Sequence, residues 1–489
     1  GATVNITTAK PLQYQGFKSA FSIKGVKDDS NVVGDDFTPE FSGMVSHKFF
    51  DGKFGALVSY SVAERDSRTV SATSDGWLRQ GPNCEQGYTT EQCPDMGAPI
   101  DDSAINTQNN PDKHFWRSQN YNMDFSDHSR TRTNGSVVLQ FQPSKDLTFT
   151  ADYLMTRFED QIERHQVAHW LGNWVGGTTD ENGTVVKTVS GAGGTDFIGF
   201  YDDIETENDS LGVNVDWQIN DSLKATFDYH HSTAHSQPGG VLSDKAVLLT
   251  NADFTCNGVA ACYFGGYDLD YGTGTQLPVL GAPVPIVDSS GFYPGAELDQ
   301  HGRSHANADP YYPNLLVGNL AIGRGNEVKN TIDQWQLDLA YYPNSNVLTS
   351  VDFGIGMQEY EVDTTWRFHN TNIAGIDLRQ VDIEKIDTAG LLADFSGSDT
   401  LFPYYMDFNV DELYNLASDT LGGLPFNPFT YNNIKEDIAH VYVQGTFELE
   451  VANMPLNIVA GLRSYVLLTV AKITRLRSLK AIMTHYYLI

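Results

Sequence analysis

From residue 53 onward, apolar side chains recur at every second position in short runs, and the runs come in pairs. Phe54, Ala56, Val58, Tyr60 and Val62 share one face, with Gly55, Ser59 and Ser61 opposite. Val137, Leu139 and Phe141 are followed after a turn by Leu147, Phe149, Ala151, Tyr153 and Met155. The cleanest pair sets Leu211, Val213, Val215, Trp217 and Ile219 before Leu223, Ala225, Phe227 and Tyr229, with Asn214, Asp216, Lys224 and Asp228 on the other side. Later pairs are Trp335 to Tyr341 with Val347 to Ile355, and Val441 to Leu449 with Leu456 to Leu462. A period of two places one apolar and one polar face on a β-strand. With strands at about 16–28 and 38–49, the pattern predicts about eleven strands.

Connections alternate in length. Within pairs they are short and turn-like: Asp51-Gly52, then residues 143–146, 220–222, 343–346 and 451–455, rich in Gly, Pro, Asn, Asp and Ser. Between pairs they are long, at about 69–117, 165–202, 231–330 and 361–435. Compact soluble domains seldom hold structureless loops beyond roughly 12–15 residues. A membrane-spanning sheet tolerates them, because in lipid every backbone group needs an internal partner, and only a closed barrel supplies one. Such barrels turn apolar side chains outward and polar ones inward, with short turns at one end and long loops at the other. The expected fold is therefore all-β: a transmembrane antiparallel up-and-down β-barrel with long extracellular loops. Phe49, Tyr60, Trp217, Tyr229, Trp335, Tyr341 and Tyr342 fall near strand ends, where aromatic girdles belong. A soluble sandwich or propeller would space its strands evenly instead.

Composition sharpens this picture. Apolar residues are 40%, charged residues 19% and aromatics 12%, with 44 glycines. Such a chain is rich in small polar residues, which suits strands with polar loops. The net charge of −31, from 62 acids against 31 bases, excludes nucleic acid as a partner, since phosphate binding needs clustered cations. Cys84 with Cys93 and Cys256 with Cys262 form two close pairs without zinc or C-x-x-C spacing, and read as local disulfides of an oxidising compartment. No run approaches the roughly 18 apolar residues of a spanning helix. No signal peptide opens the chain, which for an exported protein implies further sequence upstream.

Residues 1–11 carry Gly1, Val4, Asn5 and Ile6 in a Gly-x-x-Val-Asn-Ile arrangement just before the first strand. This resembles the end of the plug domain of TonB-dependent receptors. Phe17 to Asp28, Thr38 to Gly43, Asp51 to Gly55, Glu64 to Arg68 and Gly76-Trp77 resemble the first barrel hairpins of the family's Caulobacter-type branch. The likeness persists as pattern to Gly461-Leu462-Arg463. The family's barrel has 22 strands, so the resemblance implies a fragment: plug end at 1–11, the N-terminal half of the barrel at 12–463. Residues 464–489 hold no Asp or Glu but carry Lys472, Arg475, Arg477 and Lys480. That shift reads as an out-of-frame or non-native tail.

The resemblance also implies function: TonB-dependent import of a scarce nutrient, a carbohydrate, oligosaccharide or similar organic solute, across the bacterial outer membrane. Siderophore-iron uptake by the same fold is the alternative, and a passive porin-like channel stands behind it. The implied partners are the TonB–ExbB–ExbD complex, reached through the missing N-terminal region, the extracellular ligand, and outer-membrane lipid and lipopolysaccharide. No enzyme activity, cofactor or metal is expected. A secreted β-rich enzyme or sugar-binding module is the rival class.

Candidate chemistry is sparse. Trp77, Trp116, Trp170, Trp174 and Trp366 lie in expected loops and could stack on sugar rings, so they are the candidate substrate-binding set. His165 and His169 have the spacing of a metalloprotease helix, but Gln166 stands where the base would be, and the segment leaves a strand. His165, His169, His230, His231 and His235 read as loop histidines facing solvent or lumen. Asp268 to Gly272 lacks the closing Glu of a calcium loop. Residues 191–194 form a Gly-rich loop without a strand–helix unit to cradle phosphate.

Overall fold

The computed structural model describes residues 9–473 except 29–30, 32–33, 81–99, 112, 172–173, 191–194, 241, 252–267, 282–315, 428–429 and 452–453. All four cysteines, and the plug-like residues 1–8, lie outside the described residues, as does the glycine loop at 191–194.

The chain is all-β and barrel-like. Its main sheet is built from β1 (Lys18–Lys27), β2 (Phe37–Phe49), β3 (Phe54–Thr73), β4 (Asn120–Ser144), β5 (Leu147–Trp170), β6 (Thr195–Asn220), β7 (Leu223–Pro238), β8 (Leu316–Tyr341), β9 (Leu348–Asn372), β10 (Thr430–Val451) and β11 (Met454–Ile473). Each pairs antiparallel with the next in sequence, which is an up-and-down order. After Pro238 the chain loops out and resumes as Asp244–Asn251, which still bridges β6 and β8. β11 runs on past Arg463, with residues 464–473 in register with 432–441.

Turn chemistry fixes the short end. Between β2 and β3, Phe50, Asp51 and Gly52 all take positive φ, a conformation that Asp-Gly adopts readily. Gly52 and Lys53 donate their N–H groups back to Phe49 and Phe50 at 3.1 Å.

The strands are much longer than the alternation predicts. β4, β5, β6, β8 and β9 hold 24 to 26 residues, or about 80 Å of chain at ~3.3 Å per residue. The expected loops at 69–117, 165–202, 231–330 and 361–435 therefore shrink from both ends: the strands reach Thr73, Trp170, Pro238 and Asn372 before the chain leaves the sheet. The reason is chemical. Between the alternating belt and the buried loop half lie stretches such as 126–134 and 203–210 in which both faces carry polar residues, so the period-two signal breaks while the hydrogen-bond ladder continues.

Two halves result. In the turn half, one face bears an exposed apolar belt: Val58 and Tyr60, Val137 and Leu139, Leu211 and Val213, Trp335 and Leu339, Phe353 and Ile355, Val441 and Val443, Leu456 and Ile458. In the loop half, the same face is buried. Phe125, Val167 and Phe197 lie under a strap between β9 and β10. The strap holds a hairpin (Ile383–Asp387 with Tyr404–Phe408) and helix α1 (Val410–Leu421). Asn409 caps α1 by accepting the Glu412 N–H at 2.9 Å, and Gly422 ends it in the left-handed region. Its buried stripe is Val410, Leu413, Tyr414 and Ala417, the spacing of one helical face. This packing corrects the reading of His165 and His169. Both sit inside β5 and are buried, with His165 Nε2 3.1 Å from the Phe408 carbonyl and His169 Nδ1 3.1 Å from Thr195 Oγ1. Burial pushes His169 down to about 3.

Candidate functional site

The polar face of the turn half is lined by short side chains that bond across strands. Ser59 Oγ meets Ser136 Oγ at 2.7 Å, Asn134 donates to Ser61, and Gln140 donates to Thr150 at 3.1 Å. The segment leading into β1 crosses this face. Its single turn, Pro11–Gln13, donates Leu12 N–H to Gln140 Oε1 at 3.0 Å and fits against Gly55, where a Cβ would sit 2.9 Å from Leu12.

Further along the same face, β7 to β11 line an open hollow of ≈ 660 Å³. Five adjacent strands lining one hollow make the polar face concave there. Asp338 organises it: Tyr442 OH donates to Oδ1 at 2.8 Å and Gln336 Nε2 to Oδ2 at 2.7 Å. Asp216 holds the β7 side, accepting from Lys224 at 3.0 Å and Thr226 at 3.2 Å. Tyr442 lies flat on the wall because Gly354 faces it; a Cβ there would fall 2.0 Å from the ring. Gly356 makes the same room for His440.

At the loop end of this face the chemistry is more strongly charged. Arg164 lies 3.8 Å over the Phe200 ring and 3.5 Å from Asp124, which also accepts from Gln166 at 2.7 Å. Arg324 donates to Asp244 at 2.8 Å, and Asp202 pairs with Asp244 across the strands. Burial, with the like charge of Asp244, pushes Asp202 up to about 6, and burial raises Asp244 too. Among the described residues, no group of three His, Cys, Asp or Glu is placed to hold a metal ion.

The five tryptophans are not gathered into one site. Trp77 and Trp116 share a two-stranded ribbon (Trp77–Gln80 with Phe115–Ser118), and Trp77 lies 5.4 Å from the Tyr271 ring. Trp170 ends β5 on the polar face and donates Nε1–H to Asp196 at 2.7 Å. Trp366 lies on the polar face of β9, stacked on Phe368 at 5.6 Å. Trp174 belongs to a short strand, Trp174–Thr179. Of the neighbouring histidines, His231 meets Asp333 and His235 meets Glu327, each at 2.8 Å. Asp268 and Asp270 sit in a three-residue strand, with Asp270 bonded to the Gly272 N–H.

The inner hollow was missed by reasoning from loop aromatics. The sequence places Asp216, Asp228, Asp338 and Asp352 at polar positions of the alternation, but not their convergence across neighbouring strands.

No family model matches the chain, and no curated protein matches it. Among solved structures it is similar to BauA, the ferric preacinetobactin receptor from Acinetobacter baumannii, at 9% identity and a TM-score of 0.22. That match covers 97% of this chain and 62% of the receptor, so the chain spans under two thirds of the receptor's length. A likeness this distant carries no argument about what the chain binds.

Proposed function

We propose that this chain is wall of an outer-membrane transport barrel, with its apolar belt in lipid and its polar face lining a lumen. One observation carries the reading. The belt runs across β3 to β11, and on seven of these nine strands it ends at an ionisable residue of the same face: Glu64, Arg157, Asp209, His231, Asp333, Glu359 and Asp437. Between turn and boundary each strand offers roughly nine residues, which is what a tilted strand needs to cross a bilayer. Girdle tyrosines reach up to that boundary: Tyr229 OH donates to Asp333 at 3.0 Å, and Tyr153 OH donates to Asp209.

On this reading the edges also make sense. β1 and β11 both run from the turn end to the loop end, so joining them directly would make a parallel pair. Antiparallel closure takes an odd number of further strands.

The cargo we infer is a scarce organic nutrient, a carbohydrate or oligosaccharide, imported with energy from TonB, ExbB and ExbD. Support comes from the family resemblance, carried by motifs to Gly76-Trp77 and by pattern to Arg463, and from a polar face of hydroxyls, amides and paired charges. The test is deletion of the gene in its native host. Growth on dilute oligosaccharide should fall while growth on monosaccharide persists, and loss of ExbB should reproduce it. A defect confined to iron starvation would make the cargo a siderophore; indifference to ExbB would make the barrel a passive pore.

A further inference from the structure

We propose that the strap is a cover whose grip on the sheet depends on pH, tightening in acid and loosening in alkali, with Glu163 as the group that takes up the proton. This device belongs to the loop half alone and works whether or not the belt lies in lipid. Three observations point to it.

The first is how closely the strap is seated. Phe408 and Val410 press on β6 at Gly199, where a Cβ would fall 2.6 Å from the Phe408 ring. Tyr405 stacks on Phe125 of β4 at 4.3 Å. His165 of β5, itself buried, stands 3.1 Å from the Phe408 carbonyl and 3.4 Å from the Asp407 carboxylate. The seam between strap and sheet is thus narrow, and charges inside it are screened less than on an open surface.

The second is which charges meet across the seam. From the sheet come Glu163 of β5 and Asp127 of β4, directly opposite one another in register and on the face that buries Phe125. From the strap come Asp407 of the hairpin and Asp411 at the start of α1. Arg68 of β3 holds Asp127 through two hydrogen bonds of 2.6 Å, and Lys245 Nζ holds Asp411 at 2.6 Å. Tyr201, opposite Glu163 on β6, brings a phenol whose proton burial holds more firmly, with Asp203 next on that face. Among the described residues the Glu163 carboxylate has no ion pair and no hydrogen-bond partner. Like charges directly opposite on one face of a sheet are destabilising. Here the cations that would offset them are committed elsewhere.

The third is the response of Glu163 itself. Burial raises its carboxyl above the ordinary value of 4.5; the His165 ring opposes that shift, and Asp407, Asp127 and Asp411 add to it. A carboxyl raised on folding is favoured in its protonated form. Its contribution is fully present below 4.5 and is lost as pH climbs through the raised value. Lifting the strap removes both the burial and the two strap acids, so the seated strap holds the proton and the lifted one releases it. What lifting uncovers is the apolar face of Phe125, Val167 and Phe197.

The test is hydrogen exchange of the full chain in detergent micelles, read by mass spectrometry at pH 4 and pH 8 with rates corrected for base catalysis. Peptides covering 383–387 and 404–408 should be protected about tenfold more at pH 4. Peptides covering 211–219 in the belt should not change. Glu163→Gln keeps the neutral form at every pH and should bring strap protection at pH 8 to within about twofold of its pH 4 value. Should that variant fold poorly, Glu163→Thr removes the carboxyl with a residue that suits strands, and should flatten the difference likewise. Glu159→Gln, nearer the belt on the same face of β5, should leave the difference in place. Equal protection of the strap at the two pH values, or greater protection at pH 8, overturns the proposal. So does a tenfold difference that survives Glu163→Gln, which would put the proton elsewhere.

Discussion

The two halves of this sheet share strands, ladder and register, yet they are stabilised by different means. In the turn half the apolar face is bare: Val213, Leu339, Phe353 and Val441 are exposed. In the loop half that same face is covered by the strap, and Phe197, Val167 and Leu413 are fully buried. Water drives the loop half together in the ordinary way, by removing apolar area from solvent. Among the described residues the turn half has no protein partner for its apolar area, and the proposed function gives it lipid instead. On the proposed reading, one continuous strand such as β6 passes from a soluble-protein environment to a lipid one within its own length.

The largest effect should come from emptying the loop-half core. Phe197 lies among Phe402 and Tyr404, with ring centroids 6.0 and 6.1 Å away. Phe197→Ala should cost the loop half about 3–5 kcal/mol. Amide exchange should then open the upper part of β5 and β6 while the belt stays protected. Uniform loss along both strands would mean that the halves fold as one unit, and the contrast would be wrong.

Next comes a charge in the belt. Val213→Arg should destabilise by about 2–4 kcal/mol in lipid vesicles, because it places a cation near mid-bilayer. Its neighbour Asn214 points to the polar face, where Asn214→Arg should change stability little. Equal effects from the two substitutions, read by urea unfolding in vesicles, would remove the distinction between lipid and lumen faces.

The same contrast explains what was legible in the sequence. The turn half was read nearly residue by residue, because one apolar and one polar face produce a period of two. The paired runs at 211–219 and 223–229 fall within β6 and β7, and they meet with Val215 opposite Phe227. The loop half reads as loops because the stretch before it breaks the pattern: Glu205, Glu207 and Asp209 on one face and Thr206, Asn208 and Ser210 on the other show no alternation. Nothing local announced that 402–417 would return to cover β4, β5 and β6. That contact spans more than two hundred residues, as in His165 with Phe408. The tryptophans read from the sequence as one candidate set are divided in the fold: Trp170 and Trp366 lie in β5 and β9, Trp77 and Trp116 in a separate ribbon, and Trp174 in a short strand of another sheet. The hollow depends on glycines such as Gly354, whose role appears only once the neighbouring strand is known.

The smallest of these effects discriminates the halves by pH. Asp202 lies on the polar face of β6 well beyond the belt, beside Asp244, Arg164 and Arg324. Burial raises it to about 6, with Asp244 adding to the shift and the two arginines opposing it. A carboxyl raised on folding is favoured in its protonated form. Its contribution is fully present below the unfolded value near 4 and is lost as pH climbs through about 6. Asp202→Asn keeps the neutral form at every pH. It should match the parent chain at pH 4 and exceed it by on the order of 1–2 kcal/mol at pH 8, after discounting for partial exposure. The gain should register in exchange from the loop half only, since among the described residues the belt half carries no such buried acid. A gain that is the same at both pH values would show instead that Asp202 is unshifted and that the mouth is as wet as the surrounding loops.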